Sequence, residues 1–424
     1  MNQQRPTPGR ATPTTRPVRV ALAALLAFGL APSPALASTD EPAALPQITQ
    51  FKGADDACAA PGADVVARVP WTSQALGLTR AHELSRGRGT SVAVLATGVD
   101  GGVPALAGAV EGADAGDCLG YGTFLAGIVA ARPLPDSGLV GVAPESVVVE
   151  VPTGDADTGL ASPADIAAGI TEAVGAGARV ILVGTAAFQG SAALDEAVAA
   201  ATSAGALVVA PATVPTPDGP YPGYPAQDPA VLSVAAHDAA GEVVLGEPLI
   251  MPGGELARVD VTAPGDRVLS VGPGGAGHVT SGGDGVAAAF AAGAAALLVS
   301  REPDASPARV RERLMSTAYG SALGSVDPVV GSGRVDPLGA LAADPAAAAQ
   351  EAAARVRGEA LVPGPSGLGS VEAPVTAAVV GGSALLVVLC GVGGAVLRLG
   401  RDRGWRPAAP GERVTPEEDP RPVV

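Results

Sequence analysis

The residue types that could carry nucleophilic chemistry sit close together late in the chain. His278, Ser281 and Asp284 fall within "HVTSGGD" and are the base, nucleophile and acid types of a hydrolytic triad. A working triad is gathered around a cleft from separate elements. This spacing places all three on one loop, with His278 in the Gly-rich turn before a helix, so they are expected to be solvated loop residues. The chain has two other histidines, His82 in a helix ahead of the first strand and His237 at the end of a strand. Cys58, Cys118 and Cys390 are too few for a metal cluster and lack a C-x-x-C spacing, so no metal or other cofactor is expected. The formal net charge is -16 over 424 residues. No Lys/Arg block occurs outside the two ends, which argues against a nucleic-acid partner.

Both ends read as addresses. Residues 1–37 hold a basic, acid-free start, an apolar run and Ala35-Leu36-Ala37 before Ser38, the pattern of a cleaved signal peptide. Residues 375–397 are 23 uncharged, mostly apolar residues, enough to cross a bilayer as a helix. Arg398, Arg401, Arg403 and Arg406 follow, so the tail 398–424 is expected to be cytoplasmic and the body external. The chain is therefore read as a single-pass cell-membrane protein. Between 38 and 397, 16 basic and 37 acidic residues leave -21, which favours solubility outside the cell and repels anionic headgroups. Cys58 and Cys118 then lie in an oxidising space and Cys390 inside the span.

The elements that must position any site alternate between 65 and 340. Strands are expected at 90–97, 146–152, 178–185, 206–212 and 231–236. Helices are expected at 122–132, 162–177, 191–205, 286–300 and 306–318, those at 162 and 306 with a serine cap. Near-continuous apolar strands between helices mean a mostly parallel sheet of seven or so strands, covered on both faces. Residues 38–64 precede this domain as an extension. The Ala/Pro/Gly-rich stretch 341–374 reads as a stalk.

Six segments then narrow the class. "GTSVAVLATGVDGGVPAL", "GYGTFLAGIVAA", "GLVGVAPESVVVEV", "YPAQDPAVLSVAAHD", "VDVTAPGDRVLS" and "GGDGVAAAFAAGAAALL" occur in that order. Together they resemble the subtilisin-like serine proteases across nearly all of 65–340. The resemblance implies a three-layer α/β fold. "CAAPGADVVARVPWTSQALGLTRAHELSRGRG", the cysteine at 118, the stalk and the C-terminal span resemble the mycosins, membrane-anchored subtilases of type VII secretion systems of actinobacteria. That resemblance implies a Cys58–Cys118 disulfide.

The departures from the family pattern fall on its chemistry. The family's aspartate position is Ala96, its histidine position Tyr121 and its serine position Gly285. The proline that closes the last motif is Ala289, and the oxyanion asparagine falls near Thr213 or Val214. Asp100 matches an acid that active relatives also carry there. Gly and Ala cannot supply a nucleophile or an acid, and a tyrosine of reference pKa about 10 is a poor base at neutral pH. The scaffold glycines and turns, among them Gly98, Gly120, Gly122, Thr123, Gly127, Pro264 and Gly265, are all present.

The expectation is a pseudoprotease, not an enzyme, whose partners are type VII secretion membrane proteins and the membrane itself. A second expectation is an extended-peptide binder, with residues 181–187 as an edge strand that accepts the peptide. The third and weakest is a serine endopeptidase with a rearranged site.

Overall fold

The computed structural model describes residues 45–112, 116–320, 327–343, 394–401 and 404. One compact unit runs to Ala343, and a second comprises Asp344–Val424. In the second, residues 394–401 are helical. The expected signal peptide, nearly all of the stalk, most of the expected span and most of the tail lie outside the described residues.

The first unit is built on strands β1 (Ser91–Ala96), β2 (Val110–Glu111), β3 (Val147–Pro152), β4 (Val180–Val183), β5 (Leu207–Pro211), β8 (Leu232–His237) and β9 (Val261–Pro264). Short pairs lie beside them: β6 (Thr213–Val214) with β7 (Tyr221–Pro222), β10 (Val268–Val271) with β11 (His278–Ser281), and β12 (Tyr319–Gly320) with β13 (Gly333–Arg334). The helices are α1 (Trp71–Ala75), α2 (Leu78–Leu84), α3 (Tyr121–Ala130), α4 (Pro163–Gly175), α5 (Ala192–Ser203), α6 (Asp284–Arg301), α7 (Pro307–Ser316) and α8 (Pro337–Ala342).

The central sheet runs β12-β13-β9-β8-β5-β4-β1-β3-β2. Every pairing in it is parallel except β12 with β13. Nine strands replace the expected seven or so, because β2, β12 and β13 are two-residue strands too short to leave an apolar run. The period of two in β1 sends successive side chains to opposite faces. Val92, Val94 and Ala96 pack with Phe124, Leu125 and Val286, while Ala93 and Leu95 pack with Ile166, Ile170, Leu194 and Val198. Helices α3 and α6 thus cover one face, and α4 and α5 the other. Ser162 opens α4 with a reciprocal cap: its side chain accepts from Asp165 N, and Asp165 accepts from Ser162 N at 2.9 Å. Ser191 and Ser306 cap α5 and α7 in the simpler way. α6 is the one described helix long and apolar enough to span a bilayer, but it is the buried helix of this core.

Residues 45–64 are part of the same body. Gln47 bridges Thr280 in parallel, and Ile48 N donates to Thr280 O at 2.8 Å, so this stretch runs beside β11 as a third strand. Ile48 Cδ1 then lies over Gly120 at the head of α3, where a Cβ would fall 2.7 Å away; Gly120 also has φ 74°. Further on, Cys58 is bonded to Cys118 with Cα atoms 4.6 Å apart, the pairing that the resemblance implied. Closing a loop of 60 residues in the unfolded chain is worth about 4 kcal/mol by chain entropy. Replacing both cysteines by alanine is expected to lower the chemical-denaturation stability by about 2–4 kcal/mol. An unchanged midpoint would show that the strand pairing alone holds the extension.

Candidate functional site

In open parallel sheets, ligands and chemistry collect at the carboxyl ends of the strands, where the helix amino ends face them. Here β1 ends at Ala96, β4 is followed by Gly184, α3 begins at Tyr121 and α6 begins at Asp284. These four points meet. A Cβ added to Gly122 would lie 2.9 Å from Ala96 Cβ. A Cβ added to Gly285 would overlap the Tyr121 hydroxyl and lie 2.6 Å from Gly184 O. The fold therefore brings Ala96, Tyr121 and Gly285 together, and the phenol of Tyr121 lies where a side chain at 285 would begin.

Tyr121 is 2 % exposed, and its hydroxyl has no hydrogen-bond partner among the described residues. Burial, and secondarily the charge of Asp284, hold the phenol above its ordinary value, so it stays neutral at physiological pH. A buried hydroxyl without a partner carries its desolvation cost uncompensated. Tyr121→Phe is therefore expected to leave stability unchanged or to raise it by about 1 kcal/mol in urea unfolding. A loss larger than that would mean that the hydroxyl has a partner.

Asp284 is the second polar group here, and it is fully engaged. Thr213 Oγ1 donates to Oδ2 at 2.6 Å, and Ala236 N donates to Oδ1 at 2.8 Å. Burial pushes its pKa up to about 6 against the pull of those two bonds. Thr213 is thus drawn onto the head of α6, where its hydroxyl is committed to the carboxylate.

Asp117 had no role in the sequence reading, yet it organises the start of α3. Its Oδ1 accepts from Gly120 N at 2.9 Å and Thr97 Oγ1 at 3.2 Å. Its Oδ2 accepts from Thr123 N at 2.7 Å and Thr123 Oγ1 at 2.8 Å. Burial raises its pKa, opposed by these same bonds. The signal that could have found it is an acid beside a helix start. Asp100, in turn, accepts from Gly274 N at 2.8 Å and from Gly102 N at 2.9 Å, tying the loop after β1 to the turn between β10 and β11.

The grouping of His278, Ser281 and Asp284 does not form, and the description of them as solvated loop residues is corrected. All three are buried. His278 and Ser281 lie on β11, not in a turn, because residues 45–66 cover that hairpin. His278 Nδ1 accepts from Val66 N at 2.9 Å, and its Nε2 meets Ser137 Oγ at 3.1 Å. A backbone N–H at Nδ1 fixes the tautomer with the proton on Nε2. Burial keeps the ring pKa below its usual value. Ser281 Oγ donates to Ile48 O at 2.7 Å. His82 sits in α2 and contacts Val142 O at 2.9 Å. His237 closes β8.

The expectation of a peptide-accepting edge strand at 181–187 is corrected at 181–183 and 187. β4 is interior, hydrogen-bonded to β1 on one side and β5 on the other. Beyond it, Ala187 exchanges both backbone bonds with Tyr224 at 2.9 Å. Residues 180–183 and 187 thus have their backbone groups spent, and strand addition there has no free edge. Among the described residues, no group of three or more His, Cys, Asp or Glu side chains could hold a metal.

This fold and this arrangement of strand ends and helix heads are those of a subtilase, and the chain belongs to that family: the Subtilase family, Peptidase_S8, matches residues 87–347. Within it, the chain is similar to Mycosin-1 of Mycobacterium tuberculosis, at 32% identity over 334 residues, covering 65% of this chain and 73% of the relative. Among solved structures it is similar to the MycP3 protease from the type VII (ESX-3) secretion system, with TM-score 0.57, 30% identity and coverage of 68% of this chain and 93% of that one. It is also similar to a chain of the periplasmic assembly from the ESX-5 inner membrane complex, with TM-score 0.55, 25% identity and coverage of 71% and 89%.

Proposed function

We propose that this chain is a subtilase without peptidase activity that serves as a structural subunit of a type VII secretion membrane complex. In this reading its subtilase domain lies outside the cell membrane, residues 375–397 form a single anchor and residues 398–424 face the cytoplasm. Ala96, Tyr121 and Gly285 take the places of the family's aspartate, histidine and serine, and Thr213 stands at the oxyanion position. The observation that carries the reading is the Tyr121 hydroxyl lodged where a nucleophile's Cβ would sit. The core, caps and disulfide around that filled site support a protein kept folded for a use other than cleavage. The similarity to MycP3 and to a chain of the ESX-5 assembly supplies the partner class.

The test is gentle cross-linking in native membranes, isolation of the intact chain and mass spectrometry of what accompanies it. Type VII membrane components are expected in the isolate, and a fluorophosphonate probe is expected to leave the chain unlabelled. Isolation without those components would remove the subunit role. A labelled serine in the folded domain would restore an enzyme.

A further inference from the structure

Away from the filled site, a cavity of about 320 Å³ opens between α1, the end of β8, the β12–β13 pair and the start of α8. Its volume is at the lower end of small-molecule sites. Leu76 and Leu338 line it with apolar surface, and His237, Tyr319 and Arg334 line it with polar groups. We propose that this cavity binds the carboxyl-terminal end of a peptide whose last residue is apolar. Arg334 clamps the terminal carboxylate, and His237 Nε2 accepts the N–H of that last residue.

Three features carry the proposal. First, Arg334 makes no ion pair among the described residues, and its guanidinium lies 4.9 Å from the centre of the Tyr319 ring. Its planar fork matches a carboxylate with two parallel bonds. The guanidinium rests against Gly241, where any Cβ would displace it.

Second, His237 is 3 % exposed and polarised in one direction. Its Nδ1 lies 2.8 Å from Asp238 O, a carbonyl that can only accept, so Nδ1 carries the proton. Trp71 holds the ring from α1, with centroids 6.1 Å apart. Burial, together with the nearby charge of Arg334, keeps the imidazole below its ordinary pKa and so neutral. Among the described residues no donor meets Nε2, and a peptide N–H beside a carboxylate supplies one.

Third, the one acid in the wall is turned aside. Asp336 caps α8, with Oδ1 accepting from Gly339 N at 2.9 Å. Leu76 and Leu338 then remain for an apolar side chain, and a charged or large polar last residue would lose that contact.

The experiment is calorimetric titration of the full-length chain, reconstituted in lipid nanodiscs, with four small probes. N-acetyl-leucine carries the carboxylate, the N–H and the apolar group, and is expected to bind saturably at about 1 mM or tighter. N-acetyl-leucinamide lacks the charge, and 4-methylpentanoate lacks the N–H. Each is expected to bind at least about tenfold more weakly. N-acetylglutamamide, a side-chain carboxylate, is expected to do the same. Arg334→Gln should abolish the preference for acid over amide. Because that change also frees Tyr319, the exposed Ala75→Trp at the mouth of the cavity provides an independent block, expected to abolish binding with the thermal midpoint unchanged. Equal binding of acid and amide, equal binding of N-acetylglutamamide, persistence of binding in Ala75→Trp, or no binding of N-acetyl-leucine by the parent chain would each overturn the assignment.

Discussion

Gly285→Ser is expected to destabilise the domain by about 1–3 kcal/mol and to create no nucleophile. The added Cβ falls on the Tyr121 hydroxyl and 2.6 Å from Gly184 O. Neither neighbour yields cheaply. The Tyr121 ring is fully buried, and Gly184 is tied to the sheet through its N–H to Leu95 O at 2.8 Å. Tyr121→His in the same chain removes the phenol, so the two changes should couple favourably, by about 0.5–3 kcal/mol in a double-mutant cycle. Chemistry does not follow from the serine alone. His82, His237 and His278 are engaged elsewhere, at Val142 O, Asp238 O and Val66 N, and in subtilisin, the measured example of this effect, removing the histidine or serine singly costs about 10⁶ in turnover. Only the chain carrying Ala96→Asp, Tyr121→His and Gly285→Ser together is expected to label with a fluorophosphonate. In the proposed reading Thr213 holds the oxyanion position and would still withhold a donor worth about 10²–10³. Denaturant unfolding of the single and double variants, with probe labelling of each, reads both effects. A Gly285→Ser chain as stable as its parent, or one that labels, would sink the account of a site closed by Tyr121.

What the sequence disclosed and what it withheld divide along one physical line. Patterns set by near neighbours were legible: β1 and β3 as near-continuous apolar runs, the second interrupted by Glu150, and α4 and α7 from their capping serines. The meeting of Ala96, Tyr121 and Gly285 was legible only by resemblance, since no local rule links a tyrosine to a glycine 164 residues on. Long-range covering was not legible at all. His278 and Ser281 lie in a Gly-rich stretch that reads as solvated, and they become buried because residues 46–48 and 64–66 lie along β11. Asp117 escaped notice because it caps α3 from three residues ahead of the N-cap, Gly120, where a side-chain cap would be sought. β4 reads as an edge in the sequence because its apolar run looks the same whether one neighbour or two is hydrogen-bonded to it.

Asp260 is the other residue that local pattern could not reveal, and its loss is expected to cost about 3–5 kcal/mol. It is 3 % exposed and faces two arginines. Arg311 on α7 reaches Oδ1 at 3.0 Å and Oδ2 at 3.1 Å, while Arg258 closes on Oδ2 from the same strand end. Ser233 N adds a fourth donor at 3.0 Å. Arg258 in turn donates to the carbonyls of Ala226, Asp228 and Val231, so one carboxylate fixes the loop that feeds β8. Asp260→Ala leaves two half-buried guanidinium groups facing each other without a counter-charge, which is why the cost exceeds that of a lost surface pair. Glu145 offers the control: its pairs with Arg86 and Arg88 are partly exposed, and Glu145→Ala should cost no more than about 1 kcal/mol. Arg311→Ala should lie between the two, since Arg258 still neutralises the acid. Guanidinium midpoints of the three variants order them. The same network holds β8, and β8 supplies the Ala236 N–H that anchors Asp284 at the head of α6. A chain weakened at Asp260 should therefore also lose protection from hydrogen exchange at Ala236, whereas one weakened at Glu145 should not.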